Sequence, residues 1–119
     1  MKRLIDAFFN SVRAFRRLAG SEAAFQQELI LLLIAVPVGW LLSSSWSGYA
    51  LLIASILFLI LVEVLNTGIE ATCDAVSREF NIDIQLAKDC GSLAVLITIF
   101  LVASVWAFAL VERLVGGPI

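Results

Sequence analysis

Three long apolar stretches, about Leu29 to Trp46, Tyr49 to Leu65 and Leu86 to Val111, constrain this chain more than any other feature. Each comes close to or exceeds the roughly 20 residues a helix needs to cross the hydrocarbon core of a bilayer. Inside lipid a helix satisfies its own backbone hydrogen bonds, so such stretches are stable there as helices. A soluble domain of 119 residues has no use for 61% hydrophobic residues and a mean hydropathy of +1.02. The expected fold class is an all-α membrane protein with three transmembrane helices, forming a single integral-membrane domain over residues 1–119.

Residues 1–28 lie ahead of the spans and read as an interfacial helix and turn. Leu4, Ile5, Phe8, Phe9, Val12 and Phe15 recur at helical spacing, with Lys2, Arg3, Asp6, Asn10, Arg13 and Arg16 mostly on the other side. That pattern predicts an amphipathic helix lying in the plane of the membrane surface. Gly20-Ser21 should break it, with Ser21 as N-cap of a short turn through Glu22, Phe25 and Glu28 into the first span. The first apolar run begins far behind the basic start and has no small-residue cleavage site after it, so the N-terminus is expected to be retained.

Pro37 falls inside the first span. Residues 43–48 form a short uncharged turn, with Trp46 and Tyr49 suited to the membrane interface. The second helix should continue past the lipid boundary to Ser77, and a polar loop from Arg78 to about Gln85 leads into the third.

The net charge of −2 gives no attraction to nucleic acid, but the basic residues are unevenly placed. Lys2, Arg3, Arg13, Arg16, Arg17, Arg78 and Lys88 fall on one side of this topology and Arg113 alone on the other. The positive-inside rule then puts the N-terminus and the second loop in the cytoplasm, which makes this a multi-pass protein of the bacterial inner membrane. The first five of these charges should rest against anionic lipid.

The absence of histidine removes the common zinc sites, the Ser-His-Asp triad and bis-histidine haem ligation. Cys73 and Cys90 sit in no CxxC or metal-ligand pattern and read as reduced, packed thiols. No GxxxxGK loop is present, so the chain is not a P-loop enzyme. Any chemistry must use carboxylates, Lys, Arg and amides.

Such groups are concentrated in one place. Glu63, Asn66, Glu70 and Asp74 stand at i, i+3, i+7 and i+11, within about 80° of helical arc, and Thr67 fills the same stripe. An acid inside a span costs about 2.5–3.5 kcal/mol on insertion scales, and Glu63 directly follows the apolar run 57–62. A glutamate that merely reaches for interfacial water would explain one such residue but not an aligned row. Glu22 and Glu28 before the first span, and Lys88-Asp89 at the start of the third, belong at the same depth.

Carboxylates crowded in low dielectric repel one another, and a bound divalent cation relieves that repulsion. Magnesium suits an all-oxygen site, takes one or two protein carboxylates and shares itself with substrate phosphates. Lys88 adds a point charge for a phosphate. Metal carboxylates, a phosphate-binding cation and a spare carboxylate as base are the parts of a phosphoryl-transfer site.

The stretch Glu63-Val-Leu-Asn66-Thr-Gly-Ile-Glu70-Ala-Thr-Cys-Asp74 resembles the signature of the prokaryotic diacylglycerol kinase family. Ser21-Glu-Ala-Ala-Phe25-Gln-Gln-Glu28 and Ala87-Lys-Asp89-Cys-Gly-Ser92 match its other two landmark segments in order and spacing. Gly68 and Cys73 depart from the usual Ala or Ser and Val or Ile, and both lie between the matched polar positions.

The resemblance implies a homotrimeric bundle that uses ATP and Mg2+ to convert diacylglycerol to phosphatidic acid, with sites shared between subunits. By the same resemblance Glu63 is the general base toward the lipid hydroxyl. Glu22 and Glu70 hold magnesium against the ATP phosphates, Lys88 neutralises the transferring phosphoryl group, and Asn66 and Asp89 orient these groups. Asp74 and Ser92 border the site, Ser92 on the lipid side, and Arg3 faces the nucleotide. The residues themselves support this order in one respect: Glu63 is the deepest acid and would meet a lipid hydroxyl first, while Glu22 and Glu70 meet ATP from water. Small residues such as Ala94, Ala103 and Ala107 are candidates for the contact face between subunits.

Other readings of the stripe are an undecaprenol kinase of the same fold, a small proton-coupled transporter and a structural membrane subunit. Residues 88–92 favour the diacylglycerol branch over the undecaprenol branch. A transporter needs its acid reachable from both faces, and nothing charged marks the second path. A structural subunit leaves the stripe unexplained.

Overall fold

The computed structural model describes residues 1–116, and within them every regular element is a helix. In chain order these are α1 (Lys2–Ser21), α2 (Ala23–Leu42), α3 (Trp46–Val76) and α4 (Ile82–Val115). The last three are long and apolar enough to cross a membrane. The first is amphipathic, with Leu4, Ile5, Phe8, Phe9 and Phe15 all exposed along its apolar face.

Helices α1 and α2 meet at a single residue. Ser21 does not cap α2: it ends α1, and its hydroxyl donates back to the Arg17 carbonyl at 2.7 Å. A serine that finds a carbonyl one turn earlier has no reason to leave the helix. Glu22 is the extended residue between the two helices. The corner is tied by Gln26 Nε2 donating to the Ala19 carbonyl at 2.8 Å and by Phe15 set edge-on against Phe25, ring centres 5.5 Å apart. Leu18 and Phe25 are buried beneath it.

Helix α2 stops at Leu42, short of the apolar run that reaches Trp46, because Ser45 caps the next helix by accepting from the Gly48 N–H at 3.0 Å. Trp46 therefore opens α3 instead of closing the first span. Helix α3 has 31 residues, about 46 Å at 1.5 Å per residue, against about 30 Å of hydrocarbon. It is thus longer than a bilayer's hydrocarbon is thick, and its C-terminal turns are the polar ones, carrying Glu70, Thr72 and Asp74. The following loop is shorter than the run to Gln85 implied, since Asn81 caps α4 through the Asp83 and Ile84 N–H groups at 2.8 and 3.2 Å.

Helix α3 is the centre of the molecule, packed most extensively on α4 and next on α2. The core consists of Ala35, Ile56, Leu59 and Val102, with Leu32, Ile53, Ile60, Val95 and Trp106 closing around it. Polar groups within this layer are paired: Trp106 Nε1 donates to Ser55 Oγ at 3.0 Å, and Ser55 Oγ donates to the Leu52 carbonyl at 2.7 Å. Close to Pro37, the Tyr49 hydroxyl donates to the Val36 carbonyl at 2.8 Å, tying α3 to α2. Tyr49 and Trp46 gather around Trp40, ring centres 5.5 and 4.9 Å away, at the end of the bundle opposite the acidic stripe.

Candidate active site

The antiparallel run of α2, α3 and α4 brings the start of α2, the end of α3 and the start of α4 to one end of the bundle. The acidic stripe lies at this end. Glu63 and Asn66 are nearly enclosed, at 8% and 7% exposure, although both are strongly polar. Glu70, one turn further on, is open to water, and Glu22 at the corner of α1 and α2 is half-buried. Glu63 lies within electrostatic reach of Glu22, Glu28 and Glu70, so four carboxylates from α2, α3 and the corner between α1 and α2 share one field.

Hydrogen bonds link only part of this group. Asn66 Nδ2 donates to Glu70 Oε1 at 2.9 Å, which fixes Glu70 by one oxygen. Thr67 Oγ1 donates to the Glu63 backbone carbonyl at 3.0 Å. The Glu63 carboxylate itself accepts no hydrogen bond from any described residue. Glu28 Oε1 and Asn66 Oδ1 are buried without a partner. A buried acceptor left open costs about 1–3 kcal/mol and calls for a partner such as a bound ion, water or substrate; Glu112 Oε2, near the far end of α4, is open in the same way.

The basic groups stand to one side. Lys88 Nζ on α4 pairs with Asp74 Oδ1 at 2.9 Å, and Arg78 approaches the other Asp74 oxygen at 3.8 Å. Lys88 is also near Glu70 and Cys73. Asp89 is exposed beside it, Ser92 is exposed one turn along α4, and Arg3 is exposed near the start of α1. None of these three forms a hydrogen bond or ion pair with a described residue. Cys73 is buried as expected, but Cys90 is exposed and not packed, because its neighbour Gly91 occupies the face of α4 turned toward α3.

Two residues of this end carry more than the sequence assigned to them. Glu28 was expected at the depth of the stripe but carried no role, and at the start of α2 it comes within electrostatic reach of Glu63. Gly91 was likewise only part of a motif. A Cβ built on it would collide with the Asn66 amide. The spacing of Glu28 from Glu22 hints at the first; no signal within one helix reveals the second.

No group of three or more acidic or cysteine side chains among the described residues is arranged to enclose a metal. The donor set fits a magnesium ion that takes one or two carboxylates and completes its shell with water and phosphate oxygens. Glu70 is exposed, with one oxygen held by Asn66 and no described partner on the other, and Glu22 is half-buried.

Comparison with known proteins bears on this arrangement. The sequence profile of the family described as prokaryotic diacylglycerol kinase matches residues 9–110. A diacylglycerol kinase of Pseudomonas aeruginosa is 38% identical over 107 residues, covering 90% of this chain and 87% of the relative. The Escherichia coli diacylglycerol kinase is 37% identical over 108 residues, covering 91% and 88%. One from Helicobacter pylori is 31% identical over 105 residues, covering 88% and 82%. The match takes in α2, α3 and the acidic end of α4 together, and on that breadth the chain belongs to the prokaryotic diacylglycerol kinase family and is an enzyme of the lipid-kinase class.

Proposed function

We propose that this chain transfers the γ-phosphoryl group of ATP to the free hydroxyl of diacylglycerol, giving phosphatidic acid at the cytoplasmic face of the inner membrane. The observation that carries the reading is Glu63, an acid at 8% exposure with no hydrogen-bond donor to its carboxylate, at the lipid-side end of a row of polar groups. The curated relatives named diacylglycerol kinase supply the lipid.

In this reading Glu63 accepts the proton of the lipid hydroxyl as the oxygen attacks the γ-phosphorus, and the bond from that phosphorus to the bridging oxygen breaks to release ADP. Asn66 holds Glu70 through its amide, and Glu70 and Glu22 would hold Mg2+ there. When bound, that ion neutralises charge on the phosphate oxygens and brings them into line. Lys88 leaves Asp74 to meet the transferring phosphoryl group, and Asp89 orients it. Arg3 contacts the nucleotide from the interfacial helix, and Ser92 contacts the lipid. Because little covalent work falls to the protein, position and charge supply most of the acceleration.

The uneven basic residues support a cytoplasmic N-terminus. The homotrimer is part of the proposal: Ala94, Ala103 and Ala107 are exposed on α4, and three spans alone enclose too little of the polar row to exclude water. The test is transfer of label from ATP by the purified protein in detergent, offered diacylglycerol and undecaprenol separately, with the product identified. Labelled phosphatidic acid is expected. Label on undecaprenol alone, or lipid-independent release of phosphate, overturns the proposal.

A further inference from the structure

We propose that Gly91 is a positioning residue for phosphoryl transfer, acting through Asn66 on Glu70. The inference rests on the roles proposed above for Asn66 and Glu70, and adds a residue on another helix that sets their geometry.

Asn66 is 7% exposed and has two polar ends with different surroundings. Its Nδ2 donates to Glu70 Oε1 at 2.9 Å. Its Oδ1 is buried without a hydrogen-bond partner and lies where a side chain at position 91 would begin. On this side that oxygen faces the bare α-carbon of Gly91, which offers at most a weak Cα–H···O approach. The amide cannot turn over, since reversal would set its oxygen against the Glu70 carboxylate and its NH2 against the bare α-carbon. The flat face of α4 at Gly91 therefore fixes both the position of Asn66 and the direction of its NH2.

The contrast with Gly68 shows that this space is specific. A Cβ at Gly68 would meet nothing within 4 Å, whereas one at Gly91 would overlap the Asn66 amide. The amide is anchored at its Cβ to a buried turn of α3, so it can yield only by rotating away from Glu70. A methyl group at position 91 would thus release the Glu70 oxygen that Asn66 holds and let the carboxylate swing in water. Loss of an outer partner of this kind typically weakens a metal site by about 10–100-fold.

The test is a cycle of Gly91→Ala, Asn66→Ala and the double variant, each purified as the full-length membrane protein. Three quantities are read. They are kcat with lipid KM, the Mg2+ concentration for half-maximal turnover, and Mn2+ binding with a non-hydrolysable ATP analogue, followed by paramagnetic resonance. Gly91→Ala is expected to lower kcat by about a hundredfold and to weaken Mn2+ binding by about tenfold, with lipid KM unchanged. In the Asn66→Ala background the second substitution should add little, because the group it displaces is gone. Should Gly91→Ala alone fail to fold, recovery of a folded protein in the double variant supports the same contest for space, and failure of both overturns it. Losses that multiply in the double variant, or normal Mn2+ binding by folded Gly91→Ala, also overturn it while leaving the site assignment standing. Normal turnover and metal binding in Asn66→Ala overturn both.

Discussion

The two halves of α3 treat polar side chains in opposite ways. In the first half, Ser45 caps the helix through Gly48, Tyr49 reaches the Val36 carbonyl, and Ser55 both accepts from Trp106 and donates to Leu52. Each of these polar atoms is paired, and two of the bonds join α3 to a neighbouring helix. In the second half, Glu63 has no donor on its carboxylate and Asn66 has one end paired and one end open. Both are as buried as the apolar core beside them. One helix thus carries a region whose polar groups are paired and a region in which they are left open, and under the proposed function the missing partners of the second are ligands. That division implies that substitutions in the second half change rate and metal demand, while those in the first half change stability.

The largest effect is expected from Glu63→Gln. The amide keeps the shape of the acid and removes its ability to take a proton, so turnover should fall by about a thousandfold, within the range usual for a general base. Nucleotide binding and the melting temperature should stay near those of the parent. Turnover at the parental rate would erase the distinction between the two halves at its most important residue.

Next is Glu70→Gln, which keeps an acceptor for Asn66 Nδ2 and loses the negative charge. The magnesium concentration for half-maximal turnover is expected to rise by about 10–100-fold, with kcat partly restored at high metal. A magnesium titration decides this. An unchanged midpoint would remove Glu70 from the metal and leave its bond to Asn66 as a helix-surface contact only.

Ser55→Ala probes the other half. It leaves Trp106 Nε1 without its acceptor inside the bundle, for a loss of about 1 kcal/mol, near the middle of what hydrogen bonds between membrane helices contribute. Thermal unfolding in detergent should begin at lower temperature, while kcat per folded enzyme stays the same. A fall in kcat without a fall in stability would mean the first half also serves the chemistry.

Relations within one helix were legible in the sequence, and relations between helices were not. The alignment of Glu63, Asn66, Glu70 and Asp74 follows from helical periodicity alone, and the three spans follow from length and apolarity. Helix ends were harder, because Ser21, Ser45 and Asn81 are all capping residue types and only two of them cap. What decided between them was whether a carbonyl one turn back was free to accept, a backbone detail. The pairing of Lys88 with Asp74 and the seat of Asn66 on Gly91 depend on how far α4 is rotated and slid against α3. Side-chain volume along the whole interface sets that register, so no single motif reports it.

The smallest effect expected also sharpens the contrast, because it lies in the catalytic half and should not touch catalysis. Gly68 is on α3 between Asn66 and Glu70, and a Cβ there would meet nothing within 4 Å. Gly68→Ala should stabilise the helix by about 0.5–1 kcal/mol, since glycine gives up more backbone freedom on folding than alanine and offers no contact in return. Thermal unfolding should shift slightly upward, with kcat and the magnesium midpoint unchanged. A loss of activity from this substitution would mean that the second half of α3 depends on its backbone flexibility, and the difference between the halves would then lie in rigidity instead of in unsatisfied side chains.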